Sequence, residues 1–131
     1  MKMFAVKRPV VLVVEDDFLI RMGAVEMIEV AEFDVVEAAN ADEAMKILEV
    51  RLDIAVVFTD IQMPGSMDGL KLAAAIRGRW PPIGIAATSG ILDVRKVDLP
   101  EGGRFLRKPY SSAEIVGTLR ELTGAEPRAL V

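Results

Sequence analysis

The sequence contains no cysteine and no histidine, and aromatic residues fill only 5% of its 131 positions. Without cysteine there are no disulfides and no thiolate metal sites. Without histidine there are no Ser-His or Cys-His nucleophilic dyads and no imidazole ligands. Long hydrophobic runs are missing too, since none approaches the roughly 20 residues that a bilayer span requires. The apolar stretch Val10–Val14 follows Lys2, Lys7 and Arg8 but runs straight into three acids, with no small-residue cleavage site. It does not read as a signal peptide, and a cytoplasmic location without membrane contact is expected. Positive charge is not in excess: 16 Lys and Arg stand against 20 Asp and Glu, a net charge of −4. No basic stripe interleaved with aromatics marks a nucleic-acid face. Any chemistry must run on carboxylates, hydroxyls, a lysine and the backbone.

What is present is the composition of one globular domain, 52% hydrophobic and 27% charged, long enough to bury a real core. The expected organisation is an N-terminal extension over 1–8, a folded domain over 9–123 and a frayed tail over 124–131. Short apolar runs alternate with amphipathic segments throughout. Val10–Val14 reads as a buried strand, and a helix follows from Phe18 to Ala31 with Ile20, Ala24, Met27 and Ala31 on one face. Val35-Val36 marks a second strand. Asn40 opens a helix with Glu43 as capping-box partner and Ala41, Ala44, Met45 and Leu48 facing inward.

Ile54–Phe58 is a third strand, β-branched and continuous as a strand covered on both faces should be. A helix over Gly69–Arg79 is stopped by Pro81-Pro82. Ile83–Ala87 and Phe105-Leu106 give the fourth and fifth strands. Ser111 or Ser112 caps a last helix with Ile115, Val116, Leu119 and Leu122 inward. Strand and helix alternate, which argues for an α/β domain with a parallel sheet and helices on both faces. The segment Gly90–Gly103 should carry the helix between the last two strands, but Gly90, Pro100, Gly102 and Gly103 predict a short or irregular one.

In an open parallel sheet, ligands bind beyond the carboxyl ends of the strands. Those ends carry Glu15-Asp16-Asp17, Thr59-Asp60, Thr88-Ser89-Gly90 and Lys108-Pro109. Each has an ordinary reading alone: a helix cap, a solvated loop acid, a turn hydroxyl, a surface lysine. Together, at four sheet-rim positions, they point to a site. Two ionised carboxylates ~4 Å apart repel by roughly 4 kcal/mol at an effective dielectric near 20. A cluster of Glu15, Asp16 and Asp60 therefore needs positive charge, which Lys108 and a divalent cation would supply. All-oxygen ligands select a hard cation, Mg²⁺ or Mn²⁺. Such an ion would also shield an incoming phosphoryl group from carboxylate attack repulsion.

On VLVVEDD (11–17), FTDIQMPGSMDG (58–69), AATSG (86–90) and FLRKPY (105–110), in that order and spacing, the chain resembles the CheY-like receiver domain of two-component response regulators, over Pro9 to about Leu122. The resemblance implies a flavodoxin-like doubly wound five-stranded sheet of order 2-1-3-4-5. It makes Asp60 the phosphoacceptor and Glu15 and Asp16 the acid pair, Asp16 contacting the metal directly and Glu15 mainly through water. The backbone carbonyl of Gln62 would be the third protein ligand. Lys108 would contact the phosphoryl oxygens, its bond to Pro109 being cis. Thr88 would close its hydroxyl onto the phosphoryl group, and the amide of Ser89 would donate to it. Phe105 stands where relatives carry an aromatic switch, though a plain core aromatic would fit as well. Gln62 and Gly90 flank the site and would set the hydrolysis rate. Asp17 reads as a helix-start acid.

Three features depart from the commoner pattern: an extra residue between Pro64 and Gly69, the irregular helix before the fifth strand, and Glu-Asp where Asp-Asp is usual. None removes a site group. The implied function is a phosphorelay response regulator that takes a phosphoryl group from a histidine kinase or histidine phosphotransfer protein and signals by changing shape. It would be a phosphoacceptor, not a conventional turnover enzyme, and a monomer or weak homodimer. No output domain is visible, so a changed protein–protein contact or onward relay is expected. An aspartate-nucleophile phosphohydrolase is the rival from another class, but Gln62 stands where such enzymes carry a second acid. An interaction module that no longer accepts phosphate ranks third.

Overall fold

The computed structural model describes residues 8–63, 67–90 and 99–124. Five strands form one parallel sheet in the order β2-β1-β3-β4-β5, as expected. Strand β1 is Val10–Val14, β2 Asp34–Ala38, β3 Ile54–Asp60, β4 Gly84–Ser89 and β5 Arg104–Arg107. All five β1 residues are buried, because this strand lies inside the sheet with a helical layer on each face. Successive side chains point to opposite faces. Val10, Leu12 and Val14 therefore join one core with Ala44, Leu48, Leu72 and Ile76. Val11 and Val13 join the other with Ala24, Ile28, Ile115 and Leu119.

Those two cores assign the helices. α2 (Ala41–Val50) and α3 (Gly69–Arg79) cover the first face, and α1 (Phe18–Val30) and α4 (Ser112–Thr123) the second. Each helix opens on a side chain that satisfies an otherwise orphaned backbone donor: Asp17 for α1, Asn40 for α2, Asp68 for α3 and Ser111 for α4. Ser111 and Glu114 form a reciprocal capping box. In α2 the Glu43 carboxylate instead accepts from the amide of Ala39 at 2.8 Å, one residue before the expected partner. Gly124, at φ 69°, closes α4 in the left-handed region that suits glycine.

The expected face of α1 is only partly correct. Ala24 is buried and Met27 and Ala31 are half-buried, but Ile20 is 41% exposed and Ile28 fully buried. The first turn of α1 lies beyond the end of β1, where no strand underlies Ile20. The stripe over the sheet is Ala24 and Ile28, at i and i+4, while Met27 and Ala31 flank the cleft toward α4. Strand β4 also runs on past its apolar stretch, because Thr88 pairs with Asp60 and Ser89 with Arg107 in the ladder. The centre of the expected helix over Gly90–Gly103, residues 91–98, lies outside the described residues, as do residues 64–66, the first half of the Pro64–Gly69 loop. Among the described residues, no helix is long and apolar enough to cross a membrane.

Candidate phosphoacceptor site

Adjacent parallel strands of matched register deliver their carboxyl ends to one rim. Val14 pairs with Thr59, which sets Glu15 beside Asp60, and Asp60 pairs with Thr88. Past the end of β5, the Lys108 amide donates to the Ser89 carbonyl at 3.0 Å, turning its side chain back over the rim. Helix α1 leaves β1 toward one face and α3 leaves β3 toward the other, so the rim between β1 and β3 stays open.

The Lys108 ammonium donates to Glu15 Oε1 at 2.9 Å and lies 3.3 Å from Asp60 Oδ2. Carboxylate oxygens of Glu15, Asp16 and Asp60 lie within 4.8 Å of one another. Glu15 and Asp60 are buried, and Asp16 is exposed at the mouth. Burial, aided by the charge of Asp60, pushes the Glu15 carboxyl up to about 7 against the hydrogen bond from Lys108. Burial works against the Lys108 ammonium, yet the hydrogen bond to Glu15 and the charges of Asp60 and Glu15 outweigh it and hold the amine above its ordinary range. One lysine thus leaves negative charge at this rim uncompensated. The donor set is all oxygen, which suits a hard divalent cation.

The remaining residues picked out in the sequence stand on the same strand ends or in the loops just after them, except Phe105, which lies within β5. Thr88 and Ser89 are buried at the end of β4. The Gln62 amide lies 3.4 Å from Asp60 Oδ1, and its side-chain oxygen accepts from the Ser89 hydroxyl at 2.9 Å. Gly90 is exposed, and a Cβ there would sit 3.7 Å from Lys108 Cβ, an ordinary contact. Phe105 is half-buried on β5, paired with Ala87. The Lys108-Pro109 bond is cis, and Asp17 caps α1 by accepting from Ile20 at 3.0 Å.

Three supporting residues were not singled out in the sequence. Arg21 donates to the Glu15 carbonyl at 2.7 Å and to the Glu37 carboxylate at 3.0 Å, fixing the turn out of β1. The rings of Tyr110 and Phe58 meet edge to face at an interplanar angle of 85°, centroids 5.6 Å apart. Gly69 opens α3 directly against the site backbone: a Cβ there would fall 2.2 Å from the Asp60 carbonyl oxygen. A glycine in the first turn of a helix, where better helix formers are available, was the one legible signal of that close approach. Arg21 and Tyr110 gave none, because their partners are brought close by the turn out of β1 and by the packing of β3 against the start of α4.

Residues 11–120 match the response regulator receiver domain family, and the chain belongs to it. Similar curated proteins include the sensor kinase CckA of Brucella abortus, 34% identical over 116 residues that make up 86% of this chain and 12% of that protein. Protein PilG of Pseudomonas aeruginosa is 28% identical, with 84% of each chain covered. The transcriptional regulatory protein DctD of Rhizobium meliloti is 33% identical, over 94% of this chain and 26% of its own length. The chain therefore spans most of PilG but a minor part of CckA and DctD. The receiver domain of the hybrid histidine kinase CckA superposes with a TM-score of 0.73 at 27% identity, covering 87% of this chain and 98% of that one. A receiver protein from Sinorhizobium medicae shares the fold at a TM-score of 0.83 and 23% identity, covering 91% and 97%.

Proposed function

We propose that this chain, through a receiver unit over residues 9–123, accepts a phosphoryl group on Asp60 from a phosphohistidine-bearing kinase or phosphotransfer protein. The observation that carries the reading is the Lys108 amine set between Glu15 at 2.9 Å and Asp60 at 3.3 Å. A carboxylate attacks a dianionic phosphoryl group only where positive charge waits on the far oxygens, and Lys108 waits there. Glu15, Asp16, Asp60 and the carbonyl of Gln62 would hold Mg²⁺ or Mn²⁺. When bound, the ion supplies the further positive charge that the equatorial oxygens require.

Asp60 Oδ bonds to phosphorus as the bond from phosphorus to the partner's imidazole nitrogen breaks, its electron pair staying on the ring. The Lys108 ammonium follows the new charge and loosens its hold on Glu15. The Thr88 hydroxyl, one strand away from Asp60, turns to donate to a phosphoryl oxygen, and the Ser89 amide donates beside it. Phe105 then fills the space that Thr88 leaves, which converts the added charge into a changed face on β5 and α4. The chain acts as a phosphoacceptor in two-component signalling, not as a turnover enzyme.

The side of the mouth suits a protein donor. Phe18 and Leu19, 60% and 74% exposed, and Met22 stand on the first turns of α1. Beside them Leu19, Ile20, Gly23, Pro109 and Tyr110 line an apolar hollow of about 400 Å³ that reaches Lys108. An exposed apolar patch at the lip of a charged pocket lets a partner dock while presenting its phosphohistidine to Asp60. The test is incubation with Mg²⁺ and a small acyl phosphate, followed by acid quench and intact mass. One phosphoryl adduct is expected on the wild type and none on Asp60→Asn. An adduct that persists in Asp60→Asn refutes the assignment of Asp60, and multiple turnover of phosphomonoesters refutes the function.

A further inference from the structure

Ser89 ends β4, is completely buried, and its carbonyl anchors the Lys108 amide. Its backbone position is already accounted for, but its hydroxyl is not. That hydroxyl donates to Gln62 Oε1 at 2.9 Å, joining the end of β4 to the loop after β3 across the gap beside Asp60. Gln62 itself is exposed, so nothing about its packing forces this rotamer. A long, solvent-facing amide held by one hydrogen bond from a buried hydroxyl has a defined orientation that solvent alone would not give it.

Resting on the phosphoacceptor reading above, we propose that the Ser89 side chain is a positioning residue that prolongs the phosphoaspartate by occupying the amide oxygen of Gln62. Hydrolysis requires a water oxygen to bond to phosphorus while the bond from phosphorus to the Asp60 oxygen breaks. The electron pair stays on the carboxylate, and one water proton passes to bulk solvent. Water is lined up for that attack by an acceptor placed beside the phosphoryl group. The Gln62 side chain offers one such acceptor, its carbonyl oxygen, and its NH₂ group only donates. Held at Ser89, the oxygen has one of its two lone pairs taken and is not free to swing toward a water in line with the bond from Asp60 to phosphorus. Ser89 is thus a latch on the residue best placed to assist hydrolysis.

The experiment labels the full chain with Mg²⁺ and a small acyl phosphate, removes the donor, and follows adduct decay by acid quench and intact mass. Wild type, Ser89→Ala, Gln62→Met and the double variant are compared. Loss of one neutral hydrogen bond should shorten the lifetime about fivefold in Ser89→Ala. Adding Ser89→Ala to Gln62→Met should change nothing further, a coupling that a merely structural role for Ser89 would not produce. Ser89→Cys keeps the shape with a slightly larger atom and a weaker donor; it should shorten the lifetime less, and it carries the test if the alanine variant fails to fold. A lifetime unchanged or lengthened in Ser89→Ala overturns the inference, as does equal acceleration with and without Gln62. A wild type that never takes up the phosphoryl group overturns the phosphoacceptor reading and this inference together. A labelled wild type with an indifferent Ser89 overturns only the latch.

Discussion

Raising the pH from about 6 to about 8 strips the proton from Glu15, and this should be legible in how tightly the site takes a divalent cation. Burial, with the charge of Asp60, pushes that carboxyl from 4.5 up to about 7 against the Lys108 hydrogen bond. A cation binds the ionised cluster, so the apparent dissociation constant scales as one plus the ratio of protonated to ionised Glu15. That factor is ~11 at pH 6 and ~1.1 at pH 8, which predicts about tenfold tighter Mg²⁺ binding at the higher pH. Titration calorimetry in two buffers of different ionisation enthalpy should find ~0.9 proton released per ion at pH 6 and ~0.1 at pH 8.

Glu15→Gln should flatten the profile. Asp60→Asn removes a charge that raises Glu15 and should move the midpoint below 7. Stability of the metal-free protein carries the same signature. Between 4.5 and about 7 the folded state holds a proton on Glu15 that the unfolded chain has lost. Its contribution is therefore complete at the acid end and lost as pH rises through the folded value. Trp80 caps the far end of α3, so calorimetry is preferred to tryptophan fluorescence. A wild-type affinity that ignores pH, or an equal slope in Glu15→Gln, would refute the reasoning.

Other perturbations test the frame and the docking side. Gly69→Ala sets a Cβ 2.2 Å from the Asp60 carbonyl oxygen; urea denaturation should show a loss of about 3 kcal/mol, the upper end for overpacking, because backbone must move. A loss under about 0.5 kcal/mol would mean that α3 shifts freely. Leu19→Asp on the exposed patch should slow transfer from a protein phosphodonor at least about tenfold while leaving labelling by a small acyl phosphate unchanged. Ser111→Ala breaks the capping box of α4 and should cost about 1 kcal/mol in the same urea assay without altering Mg²⁺ affinity.

The strands and the gathering of Glu15, Asp16, Asp60, Thr88 and Lys108 on one rim were legible because buried strands read as continuous β-branched runs, and the polar residues stood where those runs ended; the strand order came only with the family resemblance that the four motifs carry. The α1 stripe was less legible. Ile20 and Ile28 are equally apolar in sequence, and only the length of β1 decides which has a strand beneath it. The end of β4 was misplaced for a related reason: Thr88 and Ser89 stay in the ladder through backbone pairing, to which hydropathy is blind. The Arg21 and Ser89–Gln62 hydrogen bonds join residues that only the turns at the rim bring together, and no periodicity encodes such contacts; Gly69 signalled its close approach only by being a glycine in a first helical turn.

Helices α1 and α4 share one face of the sheet and one apolar layer, with Gly23, Met27, Val30, Ala31, Ser112 and Val116 lining the cleft between them. Anything that leans on α1 therefore loads the same layer on which α4 rests, while the sheet insulates α2 and α3 behind it. On the proposed reading, with the donor docking at α1 and the signal leaving through β5 and α4, input and readout would share one side of the molecule, so a donor and a downstream target that both engage it would compete and take turns.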